Sequence, residues 1–218
     1  MRIAQVERQL TAARVARMRH VLEQRLPWLT IVLDNVFDPH NLSAVLRSCD
    51  AFGVQEVHVI ESVEQFRLNR LVSQGAEYWL TIHRWAEFGP CRAYLRRRGF
   101  RLYATTLSSR ARAIDAVSTE RPLAFVFGNE HRGVMPEIIA GCDGEVMIPM
   151  YGFVQSLNVS VAAAITLATV GARLRAERPE VVGLKGGAWR RVYRSWLERH
   201  VKRAAGQTGE EKCHASNT

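Results

Sequence analysis

The sequence lacks the glycine-rich motifs of the common nucleotide-binding folds. No G-x-G-x-x-G follows an apolar run in the 218 residues, and no G-x-x-x-x-G-K-[ST] is present. The first absence excludes the dinucleotide-binding fingerprint and the second excludes a P-loop. A nucleotide-like ligand would therefore be held by another kind of loop.

Cysteine is scarce, and its spacing indicates neither disulfides nor zinc. The four cysteines form no C-x-x-C pair, and the histidines show no zinc-ligand spacing. We expect a reduced, cytoplasmic protein without a structural metal. The first residues lack the apolar core of a signal peptide, and the longest apolar run, 159–172, is too short to span a bilayer. Neither secretion nor membrane insertion is expected.

Positive charge is in excess. The chain has 30 Lys+Arg against 21 Asp+Glu, a net charge of +9, and most of the excess is arginine, whose planar guanidinium suits phosphate. Nucleic acid is therefore the leading partner class, with scattered solvated charges on a basic enzyme as the alternative. With 47% hydrophobic residues, the chain is long enough for one α/β domain with extensions.

Apolar runs alternate with amphipathic segments through the middle of the chain. Strands are predicted at 29–33, 56–60, 101–106, 123–127 and 145–148, and helices at 41–52, 66–72, 86–98 and 159–177. The first run lacks polar alternation, which is typical of a strand buried on both faces. The order predicts an α/β fold, a mostly parallel sheet with helices on both faces. Asn41 is the expected N-cap of the first core helix, and Gly53 its end.

Basic amphipathic segments flank this core. The N-terminal helix, predicted at 3–25, carries four arginines that we expect to contact RNA phosphates, although solvated charge is the simpler role for any one of them: Arg8, Arg14, Arg17 and Arg19. We divide the chain into an N-terminal arm (1–27), a core domain (28–177), a C-terminal basic helix (178–205) and a polar, disordered tail (206–218).

The carboxyl ends of three predicted strands carry polar or glycine-containing loops. Thr105, Gly128 and Met150 follow different strands, and ligands of parallel sheets bind at this edge. Ser156 or Asn158 is the expected N-cap of the helix that follows the last strand. Free amides of the loop and helix start suit a flat, uncharged ligand such as adenine. The sequence therefore predicts one pocket at this edge.

Three segments resemble the motifs of a known family. They are Asn41-x-x-Ala44-x-x-Arg47-Ser48, Gly128-Asn-Glu130-x-x-Gly133, and Ile148-Pro149-Met150 with Ser156-Leu157-Asn158-x-Ser160-x-Ala162. Together they resemble the 2′-O-ribose methyltransferase branch of the SPOUT superfamily of RNA methyltransferases. The resemblance covers about residues 28 to 175, and the helical flanks are similar to those of the bacterial tRNA (guanosine-18-2′-O)-methyltransferases.

The resemblance implies a SPOUT α/β fold with a C-terminal deep trefoil knot, a homodimer, tRNA as partner, and S-adenosyl-L-methionine as cofactor without metal. Neither DNA nor a membrane is expected as a partner. The implied cofactor site comprises Gly128, Ile148, Met150, Ser156 and Leu157, and we add Thr105 from the same edge of the sheet. The implied surroundings of the reacting ribose are Asn41, Arg47, Glu130 and Asn158, and Arg47 is also expected to contact RNA.

The role of Arg47 is left open by the chemistry. The family assigns the matching arginine as proton acceptor, but a guanidinium with a pKa above about 12 stays charged, so we favour an orienting role and leave the base unassigned. The alternative functions are methylation of ribosomal RNA, methylation of the tRNA wobble nucleotide, and a catalytically silent RNA-binding module. The intact set of Arg47, Glu130 and Asn158 argues against the last.

Overall fold

The computed structural model describes residues 3–36, 38–61, 75–129 and 132–214, with side chains as far as Val201. The chain separates into two compact units, Met1–Gln24 with Gly183–Thr218, and Arg25–Val182. Two sequence predictions, the helix at 66–72 and the site residue Glu130, lie outside the described residues.

The larger unit is built on a seven-stranded sheet in the order β3-β2-β1-β6-β4-β7-β5, and every neighbouring pair is parallel. The strands are β1 (Leu29–Asp34), β2 (Glu56–Ile60), β3 (Thr81–Trp85), β4 (Arg101–Thr105), β5 (Arg112–Ala113), β6 (Leu123–Phe127) and β7 (Gly144–Met147). All six residues of β1 are buried, as expected for a central strand covered on both faces. The predicted parallel sheet is confirmed.

Helices cover both faces of this sheet. The α-helices among the described residues are α1 (Ile3–Glu7), α2 (Ala12–Glu23), α3 (Pro39–Phe52), α4 (Phe88–Arg97), α5 (Pro136–Gly141), α6 (Val159–Glu177) and α7 (Gly186–His214). Apolar side chains of α3 and α6 form one core with the sheet, and those of α4 and α5 form a second core on the other face. The prediction of helices on both faces of the sheet is therefore confirmed.

Helix α3 begins earlier than the sequence predicts. Its N-cap is Asp38, whose carboxylate accepts from the His40 amide at 2.9 Å, and Pro39 occupies the first turn. The prediction of Asn41 as the N-cap was wrong, because Asp38 supplies the capping carboxylate and Pro39 a fixed helical φ about one turn earlier. The predicted end is confirmed, since Gly53 adopts a left-handed conformation with φ of 86°.

Several short elements escaped prediction. Strand β3 mixes apolar, basic and aromatic residues, β5 has two residues, and α5 has six. The predicted N-terminal helix is instead two helices, because Thr11 accepts from the Arg14 amide at 3.2 Å and starts α2. Helix α7 extends to His214, beyond Gly206, where we expected a disordered tail.

Helix α6 has the length and apolar composition to cross a bilayer, and no other helix among the described residues has both. The predicted apolar run 159–172 forms the larger part of this helix, which ends at Glu177 as predicted. Its buried side chains, including Ala163, Leu167 and Val170, nevertheless pack within the core beside α3. This is typical of the central helix of a globular domain.

A buried arginine ties the start of the sheet to the end of α3. The Arg25 guanidinium is fully buried and donates to the Asp50 carboxylate at 2.7 Å and to the backbone oxygens of Asp50 and Val54. Burial lowers the pKa of Arg25, against the opposing charge of Asp50. These bonds fix the helix that carries Asn41 and Arg47.

In the smaller unit, α1 and α2 each contact α7. Tyr193 on α7 donates to the Glu7 carboxylate, which also accepts from Arg19 at 2.7 Å. Tyr193, Trp196 and Leu197 are buried, so these side chains of α7 belong to the core of the smaller unit and do not form an RNA-stacking surface.

A compact polar cluster lies on β2 and β3. Glu56, His58 and His83 have potential metal-ligating atoms within 4.8 Å of one another. However, the Nδ1 of His58 accepts from the Trp85 indole at 3.1 Å, so a neutral His58 carries its proton on Nε2. The Glu56 carboxylate already accepts hydrogen bonds from Arg98. A metal ion would have to displace both groups, so we assign the cluster to packing.

Because of this cluster, the stability of the fold depends on pH. Burial, with the charge of His83, lowers the pKa of His58 to about 3. Burial raises the pKa of Glu56, but the His83 imidazole 3.3 Å from the carboxylate and the hydrogen bonds from Arg98 outweigh it and bring that pKa to about 2. In the unfolded chain both groups bind protons at higher pH, so each stabilises the fold above its unfolded pKa and loses that contribution as pH falls.

We expect the free energy of unfolding, measured in urea, to fall as pH decreases from 6.5 toward 5, by at most about 1.4 kcal/mol per pH unit from His58. Below about pH 4.5, protonation of Glu56 adds to the loss. His58→Phe removes the titrating group and is expected to flatten the first part of the curve. Equal pH slopes for the parent and His58→Phe above pH 5 would contradict this assignment.

Candidate active site

A cavity of about 630 Å³ opens at the carboxyl edge of the sheet. Its walls come from the ends of β4, β6 and β7, from the loops that follow them, and from the first turns of α6. This volume lies within the ordinary range for a small-molecule site. The predicted convergence of three distant segments on one pocket is therefore confirmed.

Asn158 joins two of these segments. Its carbonyl oxygen accepts from the Ser160 amide at 2.8 Å and so caps α6, while its amide nitrogen donates to the Asn41 side chain at 2.9 Å. The prediction that Ser156 or Asn158 caps this helix is resolved in favour of Asn158. One side chain thus fixes the helix start and holds the first turn of α3 beside the cavity.

The second wall is a tight loop that begins at Gly128. The Gly133 amide donates to the Asn129 carbonyl at 2.8 Å, which folds the loop back on itself. A Cβ added to Gly128 would lie 2.0 Å from the Gly133 backbone, so a side chain does not fit there. Glycine is required at position 128 by the close approach of two backbone segments.

Asn35, which the sequence analysis missed, anchors this loop. It has φ of 48°, and it is the one non-glycine residue with positive φ among those described. Its side chain donates to the buried Asp34 carboxylate at 2.8 Å, and its carbonyl accepts from the Asn129 side chain at 3.0 Å. Burial raises the pKa of Asp34. Asp-Asn at a strand end is turn chemistry, and that signal was available in the sequence.

All six residues predicted to hold the cofactor line the cavity: Thr105, Gly128, Ile148, Met150, Ser156 and Leu157. The hydroxyl of Thr105 donates to the Val126 carbonyl at 2.9 Å, so its proton is already used within the sheet. Among the described lining residues, Arg132 is the only charged one. The cavity is therefore mostly neutral and partly apolar, as a flat heterocycle requires.

The residues predicted to surround the reacting ribose are only partly gathered at the cavity. Asn158 lines it, and Asn41 reaches it through the bond to Asn158. Arg47 is exposed on α3, roughly 9 Å along the helix axis from Asn41, and does not line the cavity. Glu130 lies outside the described residues.

The predicted RNA-binding arginines of the N-terminal arm differ in their surroundings. Arg8, Arg14 and Arg17 are exposed. Arg19 is also exposed, but it forms an ion pair with Glu7 and lies 6.0 Å from the Tyr193 ring centre. Arg19 therefore has a structural partner in its own unit.

Thr166 on α6 was not predicted as a site residue. It lines the cavity and is fully buried, and its hydroxyl has no hydrogen-bond partner among the residues that the structure describes. A buried hydroxyl without a partner carries a desolvation cost of about 1–3 kcal/mol, which a bound ligand would offset.

Comparison with known proteins places the chain in a family. The model of the SpoU rRNA Methylase family matches residues 28–168. This chain belongs to the SpoU methylase family. The match spans β1 to the first half of α6, and so it contains the cavity and all three motif segments.

Individual relatives agree with this placement. The tRNA (guanosine(18)-2′-O)-methyltransferase of Thermus thermophilus is 40% identical over 193 residues, which cover 88% of this chain and all of that protein. The crystal structure of the A. aeolicus TrmH/SpoU tRNA modifying enzyme superposes with a TM-score of 0.79 at 34% identity, covering 87% of this chain and 97% of the other. The SpoU methyltransferase AviRb of Streptomyces viridochromogenes, solved with AdoMet, has a TM-score of 0.62 at 25% identity, covering 70% and 62%.

The hydroxyl of Thr166 gives a test of the cavity as a cofactor site. We expect Thr166→Val, which keeps the shape, to weaken S-adenosylmethionine binding about tenfold, or about 1.4 kcal/mol, in calorimetry. The same change is expected to raise the melting temperature without ligand, because it removes a buried unpaired group. Thr169→Val, on the same helix but outside the cavity lining, is the control. Equal cofactor affinities for both variants would contradict the assignment.

Proposed function

We propose that this chain is an S-adenosylmethionine-dependent tRNA (guanosine(18)-2′-O)-methyltransferase, which methylates the ribose 2′-hydroxyl of a D-loop guanosine. The single observation that carries the proposal is the bond between Asn158 and Asn41 at the cavity, because it brings two motif segments 117 residues apart to one site. The alignment with the whole length of the Thermus thermophilus enzyme supports tRNA as the substrate.

The cofactor we propose for the cavity is S-adenosylmethionine. Loop amides and carbonyls near Gly128, Ile148 and Leu157 would contact the adenine, and Thr166 would supply a buried hydroxyl. We also propose that the segments around the cavity form the deep trefoil knot. The placement of β7 between β4 and β5, followed by the return of the chain to α6 beside α3, is consistent with such a path.

The reaction is a displacement at carbon. Transfer would join the ribose 2′-oxygen to the methyl carbon as the carbon–sulfur bond breaks, with the electron pair staying on sulfur and the hydroxyl proton passing to a base that we leave unassigned. When bound, the cofactor supplies the electrophilic methyl of a sulfonium. The protein must align the two reacting atoms, and such alignment is the largest contribution we expect from this site.

Asn41 and Asn158 would hold the acceptor ribose at the mouth of the cavity. Their mutual hydrogen bond fixes both amides before RNA binds, which reduces the ordering cost at that moment. Arg47, exposed on α3, would reach the ribose or its phosphate from the RNA side and orient it through its bidentate fork. Glu130 completes the proposed set.

We further propose a cytoplasmic homodimer. Tyr151 and Phe153, in the loop between β7 and α6, are respectively 97% and fully exposed, and Val154 beside them is also exposed. Contiguous exposed aromatics next to a binding cavity are typical of an interaction surface, and we propose a second copy of the chain as its occupant. Arg8, Arg14, Arg17 and Arg19 of the arm would contact tRNA.

Methylation of ribosomal RNA is the second candidate function, since the matching family is described by rRNA methylation. To distinguish tRNA methylation from ribosomal RNA methylation, the protein is incubated with labelled S-adenosylmethionine and either RNA, and the 2′-O-methylated nucleotide is then mapped. We expect label on a D-loop guanosine of tRNA. Label confined to ribosomal RNA, or to the wobble nucleotide, would replace the proposal, and no label on any RNA would support a silent binding module.

Arg47 gives a test of the mechanism. If it orients the hydroxyl through its fork, both Arg47→Ala and Arg47→Lys are expected to slow single-turnover methylation by about 10² to 10⁴, because lysine offers only a point charge. Cofactor affinity is expected to stay unchanged in both. Partial activity of Arg47→Lys would indicate a simple phosphate contact. Activity of Arg47→Ala within about tenfold of the parent, about 1.4 kcal/mol, would remove Arg47 from the catalytic set.

A further inference from the structure

We propose that the opposite edge of the sheet carries a second site, which binds a phosphate group of the nucleic-acid backbone through Arg96, Arg101 and Arg121. A cavity of about 310 Å³ is lined by these three arginines together with Gly99, Phe100 and Asp143. The proposal rests on the proposed function for its substrate, and it adds a contact remote from the reacting ribose.

The position of this cavity follows from the topology. Arg96 lies in the last turn of α4, Arg101 begins β4, Arg121 precedes β6 and Asp143 precedes β7. Since these strands are parallel, the residues gather at their amino ends, whereas the large cavity lies at their carboxyl ends. A five-residue strand separates the two edges by about 16 Å.

Asp143 fixes two of the arginines in place. Its side chain is 11% exposed, and one carboxylate oxygen accepts from the Leu102 amide at 2.9 Å. The other oxygen accepts from Arg96 at 3.2 Å and Arg101 at 3.3 Å. The side chains of Arg96 and Arg101 remain 41% and 47% exposed, and their guanidiniums have further N–H donors. The Asp143 carboxylate thus orients the guanidiniums of Arg96 and Arg101 and leaves some of their N–H donors available.

Arg121 is the third cation and has no such partner. It is exposed, and it forms no hydrogen bond or ion pair with any residue that the structure describes. Three guanidiniums against one carboxylate leave a net charge of +2 around the cavity. Preoriented arginine forks with excess charge favour a phosphate, which accepts paired N–H bonds.

Charge spacing favours a nucleic acid as the source of that phosphate. A duplex carries one negative charge per about 1.7 Å of its axis, so an RNA that extends from one edge of the sheet to the other, about 16 Å, presents several phosphates along that length. The cavity contains no aromatic stacking pair and no set of base-reading amides among its described residues. It therefore fits a contact that positions the RNA rather than one that selects a base.

The test compares Arg121→Gln with Arg97→Gln in the full chain. Arg97 is exposed at the same end of α4 as Arg96 but does not line the cavity, so each variant loses one positive charge. We expect Arg121→Gln to weaken tRNA binding several-fold and to reduce the slope of log affinity against log salt by about 1, with a clearly smaller change in Arg97→Gln. Cofactor affinity, measured by calorimetry, is expected to be unchanged in both.

Two outcomes would overturn the proposal. Equal losses in the two variants would mean that only net charge matters. If Arg121→Gln abolishes binding of inorganic phosphate while tRNA affinity stays at the parent value, the site serves a small phosphorylated ligand instead. Methyl transfer by the parent protein is measured separately, so a failure of the proposed enzymatic function remains distinguishable from a failure of this site.

Discussion

The arrangement of the site depends on one amide side chain at the start of α6. Asn158 satisfies an otherwise unpaired helix N–H group and at the same time bonds to Asn41 on α3. The two helices that pack on one face of the sheet are thereby aligned at their first turns. The same pair of hydrogen bonds therefore caps α6, shapes one wall of the cavity and holds the first motif segment beside it.

Much of the larger unit could be predicted, because buried parallel strands consist of uninterrupted apolar runs. β1, β2 and β6 were placed within a residue. β3 was missed because it lies at the edge, where Thr81, His83 and Arg84 remain partly or fully exposed and break the apolar run. Asp38 displaced Asn41 as the N-cap because local turn chemistry outweighs helical periodicity at a helix start.

Some residues of the candidate site could likewise be predicted from the sequence, and others could not. Five of the six positions predicted to hold the cofactor lie in motif segments, Thr105 was named from its place at a strand end, and all six line the cavity. Asn129 donates a hydrogen bond to Asn35, which lies 94 residues earlier in the sequence. Thr166 stands out only because its buried hydroxyl has no hydrogen-bond partner among the described residues. Such features depend on tertiary distance. A linear pattern indicates the turn at Asn35 but not the residue to which Asn35 bonds.

The strand order has a consequence for synthesis on the ribosome. β1 lies between β2 and β6, so one of its two backbone ladders stays unpaired until residues 123–127 have been made. At about 5–20 residues per second, the interval from the end of β1 is roughly 5 to 20 s. An apolar strand that waits this long with an open edge is a candidate for chaperone protection during translation.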